Sequence, residues 1–246
     1  MCDEPAPRPA ATVVVLRPAA ADPTVPGFEV FVLRRVASMQ FAPSMTVFPG
    51  GGVDPSDAGP VPWQGPPPAW FARRLGLSGP GAVDLAHRLV VAAVRELYEE
   101  TGLLLAAPAG ARRPAPEPDG ALARLLTEQG RVLCADALRP WANWVTPRGR
   151  SRRYDTAFFV TALPDGDDLR LTTTEADEGF WATPAALLAA DGAGSVRLMP
   201  PTRAVLTDLA AHSTVAGVLA AEPVIVPWTR DESGAVVPYV PAGAGS

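Results

Sequence analysis

Lysine is missing altogether: all 21 basic side chains are arginine. That excludes a lysine Schiff base, a lysine general base and the lysine of a Walker-type phosphate loop. Isoleucine and asparagine occur once each, as Ile225 and Asn143, beside abundant Ala, Pro, Gly and Arg. The skew suggests codon bias, so arginine abundance alone carries little functional weight. Only two cysteines are present, Cys2 in a Pro-rich terminus and Cys134 in an apolar stretch, and they imply no disulfide framework. Also missing is any run of roughly 18 uninterrupted apolar residues, and the N-terminus has no apolar signal core. The reading is a cytoplasmic protein with no membrane partner. A net charge of −5 leaves no general basic footprint for nucleic acid.

Against these absences, 48% hydrophobic residues in a chain of 246 are enough to bury a sizeable core. The 29 prolines and 22 glycines predict long connections. Residues 1–10 read as a flexible lead-in, 11–240 as one domain and 241–246 as a flexible tail. Strands are expected at 12–16, 28–34 and 46–48, the last running into Pro49, Gly50, Gly51 and Gly52. Residues 55–83 hold much of the Pro and Gly and read as an insertion or lid rather than a core element. A helix follows, capped by Asp84 and stopped by Gly102. Residues 106–119 read as a linker, and 122–127 and 132–138 as helical. Strands at 144–146 and 156–161 flank an arginine-rich loop, and one helix fits 202–221. Strands interleaved with helices indicate a mixed α/β or α+β fold.

The helix ending at Gly102 carries the most chemistry. At about 100° per residue, Val90, Val94, Leu97 and Tyr98 share one side. Glu96, Glu99 and Glu100 cluster opposite, and Arg95 lies at the edge of their arc. Three mutually repelling glutamates make an ordinary solvated face, or a site for a hard divalent cation that keeps waters for a phosphate. Gly50, Gly51 and Gly52 let backbone N–H groups approach an anion, which suggests a phosphate held between those amides and metal ions.

The segment Arg95-Glu96-Leu97-Tyr98-Glu99-Glu100-Thr101-Gly102-Leu103 resembles the second half of the Nudix box. Gly51 followed by Asp57 fits its first half, with Asp in place of Glu, but 37 residues separate Asp57 from Arg95 where the family has seven. The segments 41–51, 144–147 and 152–159 are similar to the Nudix subgroup that includes the peroxisomal acyl-coenzyme A diphosphatase, which also carries an insertion there. The coenzyme A signature is partly kept: Arg35 fits, whereas Gln40 and Ser44 stand where Arg and Gly are expected.

The resemblance implies an α/β/α sandwich with a mixed sheet, and metal-dependent hydrolysis of a pyrophosphate bond in a nucleotide-type small molecule. Glu96, Glu99 and Glu100 would hold Mg²⁺ or Mn²⁺, with Arg95 orienting them. Glu175 or Glu178 would serve as metal ligand or base, Glu178 being preferred. Gly50, Gly51 and Gly52, Arg35 and Arg153 would bind substrate, although Arg152 and Arg153 also read as an exposed hairpin pair. Coenzyme A or acyl-coenzyme A comes first; ADP-ribose, a nucleotide sugar or a dinucleotide is the alternative, and a non-catalytic nucleotide-binding module a further one. A homodimer is left open. Trp70 and Phe71 would either close over a substrate arm or dock the insertion. Trp141 and Trp144 read as core, His87 and His212 as surface or N-terminal helix positions rather than ligands, and Cys134 as a buried structural thiol.

Overall fold

A computed structural model describes residues 5–19, 27–37, 43–109 and 120–240. Two long strands, β1 (Arg8–Pro18) and β2 (Phe28–Arg35), are followed by the short β3 (Thr46–Val47) and β4 (Gly50–Gly52). A 3-10 turn at Pro55–Ala58 leads to β5 (Trp63–Gln64), α1 (Pro68–Arg74) and the long α2 (Ala82–Thr101). Then come β6 (Ala106–Pro108), α3 (Ala121–Glu128), β7 (Arg131–Cys134), β8 (Arg139–Val145), β9 (Tyr154–Ala162) and β10 (Ala176–Ala182). Helices α4 (Pro184–Gly192), α5 (Pro200–Leu209) and α6 (Val215–Ala220) precede the hairpin β11 (Pro227–Arg230) and β12 (Val236–Pro238).

The main sheet runs β10-β2-β1-β9-β8-β11-β12, with β3 paired to β2 and β4 to β1. It is mixed: β1 lies parallel to β9 and β11 to β8, while the other pairs are antiparallel. Alternation along β1 separates the two faces. Ala11, Val13 and Val15 meet the core beneath α1 and α2. Val14 and Leu16 join the core that includes Leu187, Val205, Leu206 and Val218 of α4, α5 and α6. A sheet between two helical layers is the α/β/α sandwich expected. Among the described residues, no helix is long and apolar enough to cross a membrane.

The insertion is not a lid. Phe71 is wholly buried, lies edge-on to Trp63 and Phe159, and joins Ala72 and Leu75 in the α2-side core. Strand β5 pairs with β7, which pairs with β6 in a separate three-stranded sheet. Phe71 therefore docks the insertion. That pairing also makes residues 131–134 a strand where a helix was expected: Val132 and Leu133 are buried between β-partners, and tertiary pairing overrides the local pattern.

Other boundaries differ for local reasons. Strand β1 begins at Arg8, inside the expected lead-in, because residues 8–16 pair with 154–162. Gly81 caps α2, while Asp84 in the first turn pairs with Arg88 one turn on. The expected helix over 202–221 breaks after Leu209, and Thr214 caps α6 by accepting the Gly217 N–H. Residues 1–4 and 241–246, Gln40, and residues 110–119 of the expected linker lie outside the described residues.

Candidate active site

The C-terminal turn of α2 carries the site. Gly102 adopts φ 75, left-handed backbone that favours glycine, and its N–H donates to the Tyr98 carbonyl to close the helix. Two further helix-end carbonyls are satisfied from the segment before β10. The Thr172 hydroxyl donates to the Glu99 carbonyl at 2.6 Å, and the Thr172 N–H donates to that of Glu100 at 3.0 Å. The turn bearing the glutamates is thus tied at its open end, and the segment that ties it leads to Glu175.

Arg95 organises the carboxylates. Its Nε and one terminal nitrogen grip the two oxygens of Asp57 at 2.8 and 2.9 Å, a bidentate pair with Asp57 only 1% exposed. The other terminal nitrogen donates to Glu96 at 2.8 Å and Glu99 at 3.2 Å. Burial alone would pull the Arg95 pKa down, but hydrogen bonds and charge from Asp57 and Glu96 outweigh it and raise it above the usual value. Asp57 itself is fixed within its 3-10 turn, where the Asp54 N–H donates to it. The Gly51-to-Asp57 half of the box therefore closes on Arg95 despite the 37 intervening residues.

The glycines serve the carboxylates. Gly50, Gly51 and Gly52 pair with Thr12, Ala11 and Ala10 of β1, so they form a strand rather than an open loop. The Gly50 N–H donates to Glu100 at 2.9 Å, and the Gly52 carbonyl accepts from Arg95 at 3.0 Å. A Cβ on Gly51 would fall within 2.4–2.6 Å of the Glu96 carboxylate, whereas one on Gly52 would meet nothing within 4 Å. The Gly50 amide is thus engaged by Glu100, while all three glycines line the cavity.

These elements line a cavity of about 630 Å³. Glu96, Glu99 and Glu100 enter from α2, Gly50–Gly52 from β4, and Thr12, Tyr154, Thr156 and Phe158 from β1 and β9. Arg35 and Glu175 add to the lining, 3.5 Å apart, and the Arg35 Nε is buried without a hydrogen-bond partner. Burial pushes Glu100 up to about 8 and raises Glu96 as well. Carboxylates that burial disfavours as anions, with too few cations between them, are a donor set of hard oxygens fitted to a divalent metal. In the rotamers seen, no three acidic, His or Cys groups among the described residues gather around one point. Arg95 holds one oxygen each of Glu96 and Glu99, and the Gly50 N–H one oxygen of Glu100, which leaves each carboxylate its second oxygen.

Two expected residues lie elsewhere. Glu178 is exposed on β10 and pairs with Arg34 at 2.8 Å, while Glu175 lines the cavity. Arg153 is buried, donating to the carbonyls of Thr146 and Pro5, while Arg152 lines the cavity. Strand alternation gives the reason for the second: Arg152 extends the set Tyr154, Thr156, Phe158, and Arg153 falls on the other face. His87 is a half-buried residue of the first half of α2, stacked on Trp63 with ring centroids 5.6 Å apart. Cys134 is half-buried rather than buried as expected, and that partial burial raises its thiol pKa.

A mixed sheet between helical layers, with an Arg-Glu-Leu-Tyr-Glu-Glu helix end closed by a buried acid, defines a Nudix fold. The NUDT19 Nudix domain matches over residues 62–207, and this chain belongs to that family. It is 34% identical over 185 residues to the acyl-coenzyme A diphosphatase NUDT19 of Gallus gallus, covering 55% of this chain and 48% of that protein. The Homo sapiens protein of the same name is 31% identical, covering 75% and 61%. The chain thus spans about half to three-fifths of these relatives' length. Among solved structures, a Nudix hydrolase from Alicyclobacillus acidocaldarius superposes with a TM-score of 0.68 at 28% identity, over 89% of this chain and 98% of that one. Nudix hydrolases generally use divalent metal ions.

Proposed function

We infer that this chain hydrolyses the diphosphate linkage of coenzyme A or an acyl-coenzyme A with Mg²⁺ or Mn²⁺ as cofactor. The observation that carries this reading is the Asp57–Arg95 clamp, which leaves Glu96, Glu99 and Glu100 lining a cavity with their charge incompletely balanced. The names of the Gallus gallus and Homo sapiens relatives support the substrate class. So does Ser44, at φ 57, which keeps left-handed backbone at the position where the coenzyme A signature has glycine.

A divalent ion held by the three glutamates would neutralise the diphosphate and lower the pKa of a bound water. Arg95 holds Glu96 and Glu99, and the Gly50 amide fixes Glu100. Arg35 offers charge to a substrate phosphate from the β2 side. Of the two acids expected there, Glu175 rather than the preferred Glu178 accepts the proton as water attacks phosphorus and the bridging P–O bond breaks. The acting unit is one domain, with the insertion as part of its core.

Product analysis tests this. With Mg²⁺ or Mn²⁺, coenzyme A and a medium-chain acyl-coenzyme A should release 3′,5′-ADP and a phosphopantetheine. Glu99→Gln should lose about 10³-fold in kcat. Release of AMP from ADP-ribose or NADH alone would keep the chemistry and reject the substrate. Nucleotide binding without any turnover would leave a non-catalytic module.

A further inference from the structure

A second cavity of about 1410 Å³ opens from the first, and the two share Arg152, Tyr154, Thr156, Met199 and Pro201. Its charge is reversed. The glutamate-lined cavity presents four carboxylates to two arginines, whereas this one presents Arg148, Arg150, Arg152 and Arg230 to Asp231 and Glu232. That excess of cations occurs in a chain of net charge −5. Asp231 is turned into its own loop, accepting from the Ser233 hydroxyl and the Ala235 N–H, so it does little to offset the arginines. Arg148 and Arg150 have no carboxylate partner among the described residues.

The β8–β9 connection sets the distance between the two charged ends. Tyr154 and Thr156 on one face of β9 are the floor common to both cavities, and Arg152 continues it into the connection. Arg152 lies two residues before β9 begins, at the bend that carries the chain back to Arg150 and Arg148. Trp144 on the neighbouring β8 lines the basic cavity as well. Tyr154 and Trp144 standing between an acidic, metal-fitted cavity and an arginine rim suit a nucleoside whose ribose carries a second phosphate beside the diphosphate.

We propose that Arg148 and Arg150, at the mouth of the second cavity, bind a phosphomonoester on the ribose of the substrate, remote from the diphosphate that is cleaved. The inference rests on the proposed coenzyme A reading and adds the feature that separates coenzyme A from its 3′-dephospho form. Guanidinium forks match phosphate oxygens, and an exposed rim makes the interaction sensitive to salt. Because the contact lies away from the reacting phosphorus, it should act through KM rather than kcat.

The test compares coenzyme A with 3′-dephospho-coenzyme A, both with Mg²⁺, for the intact protein and for Arg148→Ala/Arg150→Ala. The intact protein should favour coenzyme A by about tenfold in kcat/KM, through KM, and the preference should shrink as salt rises. In the double variant the ratio of the two substrates should fall towards one. Equal use of both by the intact protein would overturn the subsite and leave the coenzyme A reading standing. So would a double variant that still discriminates, or one that slows both substrates equally, as a merely structural loop would. Failure of the intact protein to cleave either substrate would overturn both.

Discussion

The acid–arginine constellation has two parts made by different means. Arg95, Glu96, Glu99 and Glu100 lie on one helix, and helical periodicity alone brings their side chains together. Asp57 belongs to a 3-10 turn 38 positions earlier, fixed by its own capping box, and reaches Arg95 only because the whole insertion packs down on α2. The helical part is specified locally. The other part is specified by the core around Phe71, Ala72 and Leu75. A site assembled in this way is as secure as the packing of its distant part, so perturbing Asp57 should damage both fold and chemistry, whereas perturbing an exposed glutamate should damage chemistry alone.

That contrast predicts the largest stability effect. Asp57→Ala leaves the Arg95 guanidinium buried without its bidentate partner, a loss of about 3–5 kcal/mol in denaturant unfolding, and turnover should collapse with it. Asp57→Asn keeps the shape but not the charge and should cost less in both. Glu99→Gln is the counterpart: its side chain is half exposed, so the unfolding midpoint should hold while kcat falls. If Asp57→Ala unfolds at the intact protein's denaturant concentration, the clamp contributes nothing and the comparison fails.

A smaller effect separates neighbouring glycines of β4. Gly51→Ala would drive a methyl group into the Glu96 carboxylate, whose flexible end can move aside. Stability should change little, but Glu96 leaves the place where Arg95 holds it, and kcat should fall about tenfold or more. Gly52→Ala meets open space and should be indistinguishable from the intact protein in both assays. Equal activity of the two variants would show that the position of Glu96 does not matter to the reaction.

The same division explains what could be read in advance. The α2 motif, its Gly102 stop and strands β1 and β2 follow from local spacing and composition. The Gly51-to-Asp57 spacing was visible, yet nothing local ties Asp57 to a helix 38 residues away, so its burial and its pairing with Arg95 emerge only in three dimensions. The choices between Arg152 and Arg153, and between Glu175 and Glu178, turn on which face each residue takes. The alternation of Tyr154, Thr156 and Phe158 was a usable signal for Arg152. For Glu175 the sequence holds no such signal, because the residue ends an irregular segment and a register shift follows between Ala176 and Glu178. Strand β7 reads as helical because its partners β5 and β6 are distant and short.

The grip of the insertion on α2 can be sharpened through pH. His87, on the first half of α2, stacks on Trp63 of the insertion, and burial lowers its pKa from about 6.5 despite the nearby Asp84. A base whose pKa is depressed by folding binds protons more readily when unfolded. The stability that the neutral ring lends is therefore full above about pH 6.5 and is lost as pH falls through that value, until the folded form is protonated too. Other groups titrate in the same range, so the quantity to measure is the difference in Tm between the intact protein and His87→Gln across pH 5–8. The intact protein's advantage should shrink towards acid by about 2 °C, the smallest effect of the set. A difference that is flat with pH would mean that the stack tolerates a charged ring, and that Phe71 and its neighbours hold the insertion without help from His87.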